Sequence, residues 1–141
     1  MNPQIACTDD EVESCFDILK GLRPHLESAG FLDRIRRQES QGYRIITMRS
    51  DRGVECLAGF RIAEFLAWGK ILYVDDLVTD PRCRRQGHAE RLMLWLIQHA
   101  IEEGCSSIQL DSGYARYDVH RFYHKSGFKL MAHHLELDLR C

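Results

Sequence analysis

The strongest periodic signal in the chain lies between residues 88 and 104. Ala89, Leu92, Met93, Leu96, Ile97 and Ala100 recur at steps of three and four, which predicts a helix with one apolar face, and Gly104 follows as its stop. Two helical patterns precede it. Over 8–24 the stripe is Val12, Cys15, Phe16 and Leu19; Thr8 or Asp9 stands at the capping position, acidic residues fill the first turn, and Gly21 and Pro24 end the run. A more polar helix is predicted over 31–42, closed by Gly42. Between these helices and the strongest one the pattern changes. Residues 3–8 predict a short first strand, and 43–50 are rich in β-branched residues without a helical stripe. A turn at 51–53 offers Gly53 for positive φ; 54–69 predicts a long strand bent at Gly59, and 70–79 another, stopped by Asp80 and Pro81. Together they predict an antiparallel meander. After the main helix, 106–112 predicts a strand that can run parallel to 70–79 through a right-handed crossover. A short helix over 116–127 and an alternating strand over 128–139 complete an α/β fold with a mixed, mostly antiparallel sheet.

Length and composition fit one domain, 1–141, with 45% hydrophobic residues to build its core. A formal charge of −2 argues against a general nucleic-acid partner, so the arginines near position 84 are a local patch. No apolar run reaches membrane-spanning length, and no membrane partner is expected. The six cysteines are scattered without a CxxC, and the polar, acidic start does not read as a secretory signal. Free thiols in a cytoplasmic protein are the expectation.

The segment between the 70–79 strand and the main helix carries candidate chemistry. Amides at a helix start lack internal partners, and the helix dipole adds positive charge there. Gly87 and Ala89 let a ligand approach the backbone, and Arg84 and Arg85 add full charges. Such a loop cradles phosphate or diphosphate. Neither GxxxxGK[ST] nor GxGxxG is present; the pattern is R-x-x-G-x-A, at Arg84, Gly87 and Ala89. Cys83, among arginines, is expected to have a lowered pKa and to be sensitive to oxidation. His120 and His124 are spaced for a metal on one helix, with His133 and His134 beyond, but no HExxH accompanies them and no metal is expected.

"RRQGHA" (84–89) and, further on, "HRFYHKSGF" (120–128) resemble the two signature elements of the GCN5-related N-acetyltransferase (GNAT) family. The likeness covers nearly the whole chain in element order. It implies the GNAT fold, with a splayed parallel strand pair and about four flanking helices. It also implies acetyl-coenzyme A as co-substrate and direct transfer of acetyl to a primary amine, with a small molecule as the favoured acceptor. By resemblance, Leu77, Val78 and Thr79 line the pantetheine, and an N–H near Val78 serves the oxyanion. Arg84, Arg85, Gln86, Gly87, His88, Ala89 and Glu90 surround the diphosphate. Tyr123 protonates the departing thiolate. Asp75 and Asp76 are the favoured carboxylates for taking the amine proton. Only one of them faces the cleft if the strand is regular, with Asp75 narrowly preferred; a bulge would change this. His88 stands where many members carry a small or aliphatic residue, and Arg116 where an asparagine is common. Arg23, His25 and Glu27, in the region where relatives shape acceptor choice, are candidate pocket residues, and Phe65 and Trp68 are pocket wall or core. The stretch 111–128 is similar to aminoalkylphosphonate N-acetyltransferases, with Val119 in place of their alanine. The alternative is a non-catalytic acyl-coenzyme A sensor on the same scaffold. A homodimer is possible on the family pattern, and acyl length is left open.

Overall fold

A meander of three strands forms the centre of the sheet in this computed structural model, which describes residues 1–113 and 117–140. Strand β1 (Gln4–Ile5) pairs antiparallel with β2 (Arg44–Ser50), β2 with β3 (Gly53–Phe65), and β3 with β4 (Gly69–Thr79). Strand β5 (Ser107–Leu110) completes the order β1-β2-β3-β4-β5 and runs parallel to β4. Glu55 through Phe60 are buried without interruption, so both faces of the sheet are covered at its centre. Helices α1 (Asp9–Glu13), α2 (Phe16–Leu22) and α3 (Phe31–Glu39) supply Val12, Ile18, Leu19, Phe31 and Ile35, which pack with Ile45 and Leu57. Phe60 points to the face opposite Leu57 and meets Trp95 and His99 of α4 (His88–Glu102), with ring centroids 5.8 and 5.5 Å away. Helix α4 buries Leu92, Met93, Leu96 and Ala100 of the predicted stripe and half-buries Ala89 and Ile97. It also buries His88, which sits one helical repeat before Leu92 and so belongs to that stripe.

The chain divides into two compact units, Met1–Gln109 and Leu110–Cys141. In the second, α5 (Tyr117–Lys125) ends at Gly127, whose φ of 96° suits glycine.

Three expectations need correction. The helix over 8–24 is two segments: at its middle the Cys15 amide bonds the Val12 carbonyl three residues back, a tight turn that re-aims the chain. The alternating segment 128–139 forms no strand, and Leu135, Leu137 and Leu139 are exposed. Alternation sets which face each side chain would take, but a strand exists only when a neighbour completes its hydrogen-bond ladder. Phe65 and Trp68 are not core; they pack on each other at the exposed end of the β3–β4 hairpin, with ring centroids 5.1 Å apart. Arg116 and Cys141 lie outside the described residues.

Thr8 is the cap of α1. Its hydroxyl accepts the Glu11 N–H at 3.1 Å, and the Glu11 carboxylate accepts the Thr8 and Cys7 N–H groups at 2.9 and 3.1 Å. Those backbone donors hold the Glu11 carboxyl below its usual range. Thr8→Ala removes half of this reciprocal pair and should cost about 1 kcal/mol. Urea denaturation should show a lower midpoint with an unchanged slope.

Candidate functional site

The stretch from Asp80 to His88 is built by local chemistry. Asp80 caps a 3-10 turn at Pro81–Cys83 by accepting the Arg82 N–H at 2.9 Å, and its carboxylate also binds the Arg82 guanidinium at 2.7 Å. Those contacts pull the Asp80 carboxyl down to about 2. Arg82 is thereby neutralised. Arg84 and Arg85 are exposed and have no ion-pair partner among the described residues. Arg85 takes a left-handed conformation (φ 64°), as does Gly87 (φ 78°). Non-glycine residues in that region are strained, and such strain concentrates at binding sites.

Gly87 is the N-cap of α4, and no side chain among the described residues caps that helix, in contrast to Thr8 on α1. A Cβ placed on Gly87 would meet no atom within 4 Å, so the space over this backbone is open. Unsatisfied amides, an aligned dipole, open space and two exposed guanidinium groups make an anion cradle. Gln86, Gly87 and Glu90 are exposed and Ala89 half-buried at its rim. His88 is different: its imidazole is buried beneath the turn.

Cys83 corrects an expectation. It is buried, and burial followed by the charge of Glu55 pushes its thiol pKa up, not down. Neighbouring arginines in sequence do not act on a group that faces the interior.

Upstream, β4 carries a bulge. Its register to β3 passes from Gly59↔Asp76 to Phe60↔Val74 and skips Asp75. The strand is therefore not regular at the two carboxylates. Asp75 is gripped by Arg61, whose Nη2 donates at 2.6 Å and whose Nε donates at 3.1 Å to each oxygen; Gln38 accepts from the same guanidinium. Burial raises the Asp75 carboxyl above its ordinary 3.8, against the pull of Arg61. Asp76 accepts the Tyr43 hydroxyl at 2.7 Å and the Arg23 guanidinium at 3.0 Å. Burial, then the Asp76 charge, raises the Tyr43 phenol, so it stays protonated and donates. Arg23 also donates to the Asp75 carbonyl oxygen at 2.9 Å, whereas His25 and Glu27 are exposed. Along the rest of β4, Leu77 is half-buried, Val78 packs against the core, and the Thr79 hydroxyl lies 3.3 Å from Cys56 Sγ.

Tyr123 belongs to the second unit. It is half-buried on α5 between Phe122 and Phe128, with ring centroids 5.5 and 5.6 Å away, and its carbonyl accepts the Phe128 N–H. His120 Nε2 donates to the Gly113 carbonyl at 2.8 Å, and His134 lies 3.2 Å from Asp111. Among the described residues no three His, Cys, Asp or Glu side chains group as a metal site would require. No helix among them is long and apolar enough to cross a membrane.

Sequence reasoning missed Tyr43, Arg61, Gln38 and Glu55. The first three surround the paired carboxylates and Glu55 lies under the cradle. One signal was available for Glu55: it is a carboxylate inside the apolar run from Val54 to Phe60.

The protein has clear relatives. It is 28% identical over 129 residues, 90% of each chain, to the uncharacterized N-acetyltransferase YhdJ of Bacillus subtilis. Its fold matches an acetyltransferase of Trypanosoma brucei with a TM-score of 0.82 at 22% identity, over 98% of this chain and 99% of the other. It also matches the aminoglycoside N-acetyltransferase AAC(6')-Iy in complex with CoA, with a TM-score of 0.83 at 14% identity, over 99% and 96%. The sequence model of the acetyltransferase (GNAT) family matches residues 10–128. With the cradle, the bulged strand and the mixed sheet in the family's order, this chain is a member of the GNAT acetyltransferases.

Proposed function

We propose that this protein transfers an acetyl group from acetyl-coenzyme A to a primary amine of a small molecule, directly within a ternary complex. The uncapped start of α4 carries this reading: a helix end left open beneath exposed arginines suits a diphosphate. Coenzyme A supplies an acetyl carbonyl activated as a thioester. Main-chain amides of Arg84–Glu90 hold its diphosphate, with Arg84 and Arg85 adding charge. Leu77, Val78 and Thr79 border the arm, and an N–H near Val78 donates to the carbonyl oxygen as it gains charge.

Protons balance in two places. The amine nitrogen bonds the acetyl carbon and loses a proton; the carbon–sulfur bond breaks and the sulfur gains one. Tyr123 donates to the sulfur. Asp75 takes the amine's proton, directly or through water; burial raises the proton affinity of its carboxylate above the ordinary carboxylate value. Asp76, tied to Tyr43 and Arg23, holds the bulge in place. The likeness of 111–128 to aminoalkylphosphonate N-acetyltransferases puts small aminoalkylphosphonates first among acceptors to try.

A screen of small amines with thiol-release detection, paired with calorimetry against coenzyme A, tests the reading. Coenzyme A should bind, and at least one amine should release thiol. No heat with coenzyme A would end it. Once an acceptor is found, the base can be assigned. Asp75 works only when ionised, so the rate should fall as pH drops through its raised pKa. Asp75→Asn should cost about 10²-fold or more in kcat and remove that acid limb. A variant that keeps both would move the proton's path elsewhere.

A further inference from the structure

Both ends of the cradle segment are fastened to one residue, Glu55. At the entrance, the Glu55 carbonyl accepts the Asp80 N–H at 2.8 Å. At the exit, the Glu55 carboxylate lies 3.0 Å from His88 Nε2. Glu55 is 3% exposed and His88 7%, so this contact is sealed from water. The other carboxylate oxygen accepts from the Ser50 hydroxyl at 2.8 Å and Arg52 Nη2 at 3.0 Å. Those donors, the Ser50 hydroxyl foremost, hold the Glu55 carboxyl below its usual range.

The imidazole tautomer follows from its partners. Nε2 faces two acceptors, Glu55 Oε2 and, at 3.2 Å, Gln86 Oε1, so Nε2 carries the hydrogen. Nδ1 is buried with no hydrogen-bond partner. A buried polar atom left unsatisfied is costly and uncommon. An apolar side chain at position 88 would avoid that cost. A histidine donating here to a buried carboxylate points to a role that the apolar stripe of α4 does not need.

We infer that Glu55 and His88 form a positioning pair for the diphosphate cradle: the buried Nε2–H···carboxylate bond sets the first turn of α4 and so aims its amides. This rests on the coenzyme A reading above. Neither residue touches the diphosphate through its side chain; both act through the main chain of residues 84–90. The left-handed Arg85 and Gly87 lie between the two anchor points, which is where a strained turn needs its ends held.

The test compares two substitutions at His88. His88→Phe keeps the bulk and removes the donor. His88→Gln keeps an N–H at nearly the position of Nε2. Two readouts are taken on the purified full chain: calorimetry with coenzyme A, and amide hydrogen exchange without it. His88→Phe should weaken coenzyme A binding about 10-fold or more and speed exchange by a similar factor at Arg91, whose N–H bonds the Gly87 carbonyl and closes the first turn of α4, with exchange in β2 and β3 unchanged. His88→Gln should restore both to within about 3-fold of wild type. With an acceptor in hand, the loss should fall on KM for acetyl-coenzyme A and leave kcat nearly unchanged. If exchange rises but binding holds, the pair is only structural and the inference is overturned. It is equally overturned if His88→Phe matches wild type in both readouts. Should His88→Phe fail to fold, His88→Gln decides: losses as large as those expected of the phenylalanine would show that an N–H donor is not what the site requires. Wild-type protein that gives no heat with coenzyme A defeats the functional reading, while the exchange arm still reports on the tether by itself.

Discussion

Gly59→Ala should be among the most destabilising single-methyl additions in this chain. A Cβ at position 59 would stand 2.0 Å from the Tyr43 hydroxyl oxygen, 2.5 Å from Cζ and 2.7 Å from Cε1. Tyr43 cannot yield cheaply. It is 2% exposed, its ring lies under the Arg61 guanidinium at 5.4 Å, and its hydroxyl donates to Asp76. Moving the ring would overpack the site and leave a buried hydroxyl and a carboxylate oxygen short of a partner. Together these cost about 3–5 kcal/mol. Melting should drop by roughly 10 °C or more for a domain of this size. The cause is steric, so it should depend on the tyrosine. Paired with Tyr43→Leu, the alanine should cost clearly less than it does alone, a non-additivity that a double-mutant cycle measures. Additive effects, or a Gly59→Ala protein that melts with wild type, would mean the sheet accommodates the methyl elsewhere.

The same contact shows why part of this site could be read from the sequence and part could not. The open start of α4 with its exposed arginines was legible because its parts are neighbours in the chain: Arg84, Arg85, Gly87 and the helix that follows are placed by local geometry alone. The main helix was legible for the same reason, since Leu92, Met93 and Leu96 declare their face by spacing. The bend expected at Gly59 proved to be a close approach by Tyr43, across from a bulge at Asp75. That pairing joins residues 16 and more positions apart, and no local pattern encodes it. The paired carboxylates follow this rule too. Their types flagged them, but Arg61 of β3, Tyr43 just before β2 and Arg23 at the end of α2 reach them across separations of 14, 33 and 53 residues. Cys83 failed in a more instructive way. It was judged by its sequence neighbours, and it turns inward, where burial and Glu55 decide its chemistry. The spacing of His88 from Leu92 and Leu96 already placed it on the buried stripe. Alternation over 128–139 was over-read, because a ladder is a property of two segments.

Tyr123→Phe should separate catalysis from binding. The substitution removes one hydroxyl and keeps the ring that packs against Phe122 and Phe128, so the fold of α5 should persist. If Tyr123 donates to the departing sulfur, its loss leaves proton delivery to water, and kcat should fall about 10²- to 10⁴-fold. Transfer from a phenol near pKa 10 to a thiolate whose acid is near 8.5 is uphill by roughly 1.5 units, a gap small enough to cross as the carbon–sulfur bond breaks. The loss should therefore appear in kcat and kcat/KM alike, with little change in affinity for coenzyme A. Calorimetry should give a coenzyme A affinity within about 2-fold of wild type, because the proposed function has main-chain amides at 84–90, and not the phenol, hold the diphosphate. A turnover that survives the substitution would reassign the acid. If no amine in a broad screen is acetylated by wild type while coenzyme A still binds, the second reading gains: the scaffold then senses acyl-coenzyme A without turning it over. The two outcomes cannot be confused, because one is a property of the variant and the other of the native chain.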